Sequence, residues 1–81
     1  MNHTKSVLAK MRLAGDPDGF LQFAIDDCEL LCDELQSQPE KSPVTIMRLK
    51  SSIKTALGSL DAGRREIYRD YFFKSLKKDL S

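Results

Sequence analysis

The sequence predicts an all-α fold, a small antiparallel helical bundle of three longer helices plus a short N-terminal helix, in one domain spanning 1–81. Three observations predict it. Two proline-bearing breaks, Gly15-Asp16-Pro17-Asp18-Gly19 and Ser37-Gln38-Pro39-Glu40-Lys41-Ser42-Pro43, cut the chain into segments of helix length. Within those segments apolar residues recur at 3- and 4-residue steps. β-branched residues never alternate with polar ones over a strand length, so no sheet is expected.

The first helix, about 4–14, sets Val7, Leu8, Met11 and Ala14 on one side. It is too short to persist alone and must dock on something. The second is expected over 17–37, with Asp16 or Asp18 as N-cap and Pro17 in the first turn. At about 100° per residue, Phe20, Leu31, Ala24, Leu35, Cys28, Leu21, Cys32 and Ile25 form one arc of about 140°. Gln22, Asp26, Glu29, Asp33 and Gln36 lie opposite, so a core-facing helix with an acidic solvent face follows.

Ser42-Pro43 is a helix start, an N-cap with proline at the first helical position. The third helix, about 43–59, carries a narrow stripe of Ile46, Leu49, Ile53, Ala56, Leu57 and Leu60, with Arg48, Lys50 and Lys54 on its other faces. Gly58 and Gly63 each cost about 1 kcal/mol inside a helix, and Asp61 between them can cap. A turn is therefore expected before the fourth helix, about 62–78. Short loops then make successive helices antiparallel neighbours.

The chain is 81 residues long, near the lower limit for a core without help, so helix packing or a partner subunit must complete it. Neither a disulfide framework nor a zinc site can be built from Cys28 and Cys32 with the single His3. The two cysteines sit at i, i+4 within the apolar arc and read as small buried hydrophobes. No apolar run approaches membrane-spanning length, and Met1 to Leu13 lacks the pattern of a secretory signal. A cytoplasmic location and no membrane partner are expected.

The function classes narrow by elimination. His3 has no acid or nucleophile set beside it, the acids of the second helix point away from the core, and the four glycines form no phosphate-cradling loop. The expectation is no enzyme, with no catalytic residue, no cofactor and no metal.

What remains is charge and exposed apolar surface. The net charge of +1 hides three blocks. Lys5, Lys10 and Arg12 stand against no acid in the first fourteen residues. Eight carboxylates and no cation lie between Leu13 and Glu40, and ten cations against four acids follow from Lys41 onward. Attraction between the acidic block and the basic C-terminal half, within one chain or between two, is the expected use.

Phe23 and Leu30 lie seven apart, outside the arc, flanked by Asp27 and Glu34. The plainer reading covers them with the protein's own first or last helix; left open, they form a seam for a basic, hydrophobic partner helix. The last helix interleaves Tyr68, Tyr71, Phe72 and Phe73 with cations, and its apolar residues cover more than half the circumference. One flat contact cannot bury them all.

The function expected is a non-enzymatic protein–protein interaction module, a small adaptor or regulator, with a protein partner or itself, as a homodimer, on the other side. Its partner-binding residues would be Phe23, Asp27, Leu30 and Glu34 together with Tyr68, Tyr71, Phe72 and Phe73. The alternative is a small nucleic-acid-binding regulator using Arg64, Arg65, Arg69, Lys74, Lys77 and Lys78. It is the weaker reading, because Glu66 and Asp70 dilute those cations and the whole chain lacks a basic excess.

Overall fold

The computed structural model describes residues 1–14 and 19–81. Those residues form four helices: α1 (Asn2–Ala14), α2 (Phe20–Ser37), α3 (Pro43–Gly58) and α4 (Ala62–Leu80). No strand occurs among the described residues. The capping expected from Asp16 or Asp18 and the first turn at Pro17 lie outside the described residues. Where the description resumes, Gly19 precedes α2 at φ 101°, a left-handed backbone that favours glycine, and its carbonyl accepts from Phe23 N–H at 3.0 Å.

The other starts follow their local chemistry. Ser42 Oγ accepts from Thr45 N–H at 3.4 Å, with Pro43 opening α3. Asp61 Oδ1 accepts from Arg64 N–H at 3.0 Å and opens α4, so α3 and α4 are separate helices. Arg65 closes the other side of that turn, donating to the carbonyls of Leu57 at 3.2 Å and Leu60 at 2.9 Å.

α1 has no acid in its first turn. Its cap comes from the far end of the chain. Asp79 on α4 accepts from Thr4 N–H and Thr4 Oγ1–H, both at 2.7 Å, and from His3 N–H at 3.3 Å. Farther along, Tyr68 donates to the Lys10 carbonyl at 3.4 Å and Arg64 to the Ala14 carbonyl at 2.7 Å. α1 is thus held by α4 at its start, middle and end.

On its other flank α1 meets α2. Arg12 donates to Gln22 Oε1 at 2.8 Å, Asp26 at 2.6 Å and Glu29 at 2.9 Å, and Lys5 reaches Asp33 at 2.6 Å. Glu29 and Asp26 raise the pKa of Arg12, and Asp33 raises that of Lys5, each by stabilising the charged form. The acidic block was expected to attract the basic C-terminal half. Within the chain the structure corrects this: the acidic block's described ion pairs are with the N-terminal cations, because α1 is the helix that docks beside Asp26, Glu29 and Asp33.

α2 packs broadly on α3, while α3 and α4 meet only slightly. The order around the bundle is therefore α4, α1, α2, α3, with one loose seam. The core gathers Leu8 and Met11 from α1, Leu21, Ile25, Cys28, Leu31, Cys32 and Leu35 from α2, Leu49, Ile53, Ala56 and Leu57 from α3, and Phe72 from α4. Phe20, expected in the apolar arc, is 66% exposed. It stands at the edge of that arc, on the first residue of α2.

Both thiols are buried and free. Burial pushes Cys28 up to about 12 and Cys32 up to about 11. Iodoacetamide at neutral pH should therefore modify neither cysteine in the folded protein and both in denaturant; rapid labelling of the native state would show that these thiols are not buried.

Burial opposes ionisation of Asp79, but the bonds from Thr4 and His3 outweigh it and hold the carboxyl below its ordinary 3.8. Asp79→Ala should cost about 1–2 kcal/mol at neutral pH, the usual loss for a cap. Because the folded pKa is depressed, the charged part of this contribution is complete above about pH 4 and fades as pH falls through the lower folded value. Urea unfolding of wild type and Asp79→Asn from neutral to acid pH should show their gap closing in that direction. A gap that widens on acidification would overturn the assignment.

Candidate functional site

Two groups of exposed apolar residues lie beside charges that have no ionic partner among the described residues; Leu13, Phe20, Val44, Met47, Ile67 and Tyr71 are exposed elsewhere. The first is on α2. Phe23 is 76% exposed and Leu30 is 66% exposed, so neither α1 nor α4 covers the seam. This corrects the plainer reading, and the reason is geometric. α1 docks on the flank of α2 that carries Asp26, Glu29 and Asp33, whereas α3 takes the flank that carries Asp27. Phe23 and Leu30 project between those flanks, away from the core.

Asp27 and Glu34 lie along the same stripe, at steps of four and three residues from the two apolar side chains. Asp27 accepts from Ser52 Oγ at 3.0 Å. Neither acid pairs with a cation among the described residues, although Asp26, Glu29 and Asp33 on the neighbouring side all do. The structure therefore sorts the acids of α2 into an internal set and a spare set, and the spare set borders Phe23 and Leu30.

The second surface is the loose seam between α3 and α4. Ile53, Leu57, Phe72 and Leu76 form its floor, and Phe73 stands over it at 69% exposure. Lys50, Lys54 and Arg69 rim this hollow of about 380 Å³. A neighbouring hollow of about 370 Å³ shares Lys50, Phe73 and Leu76 with it and extends to Lys77 and Leu80. Together they make an elongated cleft. Lys50, Lys54 and Lys77 have no acidic partner within 4.0 Å among the described residues, and no acid lines either hollow.

The aromatic cluster of α4 divides between core and surface. Phe72 is only 2% exposed, a core residue and at most the floor of the cleft, which corrects its expected use as a docking side chain. Tyr68 is half-buried against α1, with its ring edge-on to Tyr71 at 5.7 Å between centroids. Phe73 and Tyr71 remain exposed, on different sides of α4. The Phe23/Leu30 stripe and the α4 aromatics form two surfaces, because α2 and α4 do not approach one another among the described residues.

The cations expected for nucleic acid are dispersed in the same way. Arg64 and Arg65 hold carbonyls at helix ends. Arg69 pairs with Glu66 at 3.9 Å and Lys74 with Asp70 at 3.0 Å, while Lys77 and Lys78 have no such partner among the described residues. At helical spacing the six residues point all around α4 and make no single basic stripe.

The sequence reading missed Lys50, Lys54, Ile53, Leu57, Leu76 and Leu80 as a site. A signal was present: α4 carries apolar residues on more than one side, while the stripe of α3 is narrow. Nothing in the sequence says that the mismatch would open between these two helices.

Substitution separates the exposed surface from the core. Phe23→Ala with Leu30→Ala should change the unfolding free energy by less than about 1 kcal/mol, since exposed positions contribute little. Phe72→Ala should cost about 3–5 kcal/mol. Denaturant titration distinguishes the two, and a large loss in the double variant would show that the seam is covered. Comparisons with protein-family models, with curated proteins and with solved structures find no match, so this site is read from its own geometry.

Proposed function

We propose that the protein is a non-enzymatic helical interaction module, an adaptor or regulator that acts by protein–protein contact. The helices would run antiparallel as successive neighbours in a single domain, and the free thiols suit a reducing, cytoplasmic setting. The observation that carries the reading is the alignment of exposed Phe23 and Leu30 with the spare acids Asp27 and Glu34. Exposed aliphatic and aromatic anchors in a polar surround are the usual centre of a protein interface. The spare charges would set orientation and exclude like-charged partners, while apolar burial supplies most of the affinity.

Among the described residues no helix is long and apolar enough to cross a membrane. Among the described residues no three of His, Cys, Asp and Glu converge as a metal-binding group. Nucleic-acid binding has less support, because four of its six expected cations already serve carbonyls or carboxylates of the same chain.

A photo-crosslinking residue at Phe23 or Phe73, introduced in the native cell, should yield defined protein adducts. The same residue at exposed Glu40 or Ser59 should not. Adduct patterns that are identical at all four positions would remove the interaction reading.

A further inference from the structure

Each of the two open surfaces lacks what the other has. The stripe of α2 offers two apolar side chains and two carboxylates with no cationic partner among the described residues, Asp27 accepting only from Ser52. The α3–α4 cleft offers an apolar floor and three unpaired lysines, with no acid lining it. Their lengths agree as well. Phe23 to Glu34 is eleven residue steps, as is Arg69 to Leu80 along the cleft, and at helical rise each is about 16 Å.

We infer that the α3–α4 cleft is the docking site for the α2 stripe of a second copy of this chain, so that molecules associate head to tail. The inference rests on the interaction reading above and names the partner. Within one molecule the contact cannot form, since α2 is fixed against α3 with Phe23 and Leu30 turned outward. Between two molecules Phe23 and Leu30 would cover Leu76 and lie beside Phe73, with Asp27 and Glu34 opposite Lys50 and Lys54.

Donor and acceptor surfaces are different, so the interface is heterologous. Each bound molecule keeps one free stripe and one free cleft, and assembly continues until a ring closes or dilution stops it. The acids on the cleft's outer flank do not oppose this. Asp70 is held by Lys74 at 3.0 Å, and Glu66 faces Arg69 at 3.9 Å.

Sedimentation of the wild-type chain should show an average mass rising above 9.2 kDa as concentration increases from about 10 µM to about 1 mM. Added sodium chloride should lessen the rise without abolishing it, since it screens the charge pairs and leaves the apolar contact. Two exposed-surface variants then locate the contact. Phe23→Asp with Leu30→Asp spoils the stripe and keeps the cleft, whereas Lys50→Glu with Lys54→Glu spoils the cleft and keeps the stripe.

Each variant alone should remain at the monomer mass, with wild-type circular dichroism. Their equimolar mixture should form a capped pair of twice the chain mass and stop there, because only one intact stripe and one intact cleft can meet. A wild-type chain that stays monomeric throughout would overturn the inference, and so would either variant self-associating or a mixture with no pair. Crosslinks from Phe23 to another protein, found with a monomeric chain, would end head-to-tail assembly while leaving the interaction module standing.

Discussion

The docking of α1 is the constraint on which the rest of the structure depends. α2 and α3 pair broadly, but α4 has little contact with α3, so α4 is kept in place mainly through α1. α1 does this with polar contacts to α4 at its start, middle and end and with Leu8 and Met11 fully buried in the core. A helix of 13 residues is marginal alone, and this one lacks an acid in its own first turn. Asp79, seventy-five residues away from Thr4, supplies the missing cap. Chain ends distant in sequence are thereby joined, and the seam left over falls on the opposite side of the bundle.

The use of charge follows from that docking. The three cations of the N-terminal block lie on α1, and two of them meet the acids that α2 turns toward α1. Such partly exposed pairs contribute little to stability each. Their effect is on arrangement: they fix which flank of α2 receives α1, and so which acids stay unpaired. The net charge of +1 conceals this, since internal pairing leaves negative residues on one surface and positive residues on another.

The sequence made much of this legible. Local signals were read correctly where the physics is local. Ser42-Pro43 and Asp61 mark helix starts because a side-chain oxygen three residues before a free N–H needs no tertiary partner to act. Burial of Leu21, Ile25, Cys28, Leu31, Cys32 and Leu35 followed from one arc on one helix. Phe20 failed because position in the arc says which way a residue points, and burial also needs a helix alongside. The Phe23/Leu30 seam failed likewise, its cover depending on where α1 settles. Phe72 and Phe73 are adjacent and chemically alike, yet one is core and one surface, because successive helical residues point about 100° apart. The cleft was the least legible feature, being a mismatch between two helices and a property of neither.

A bundle this small has a high ratio of surface to core, and each helix can bury only the face its neighbours reach. Apolar residues beyond that limit are a liability unless something covers them, since exposed patches promote association of any kind. Here part of the uncovered apolar surface lies beside charge that internal pairing leaves over. Phe23 and Leu30 share a stripe with the acids that internal pairing leaves out, and Phe73 and Leu76 share a cleft with lysines that have no acid within 4.0 Å among the described residues. A surface of one sign repels its own kind, so the arrangement disfavours stripe meeting stripe and cleft meeting cleft. What it permits is contact between unlike surfaces, and that restriction turns a liability of size into selectivity.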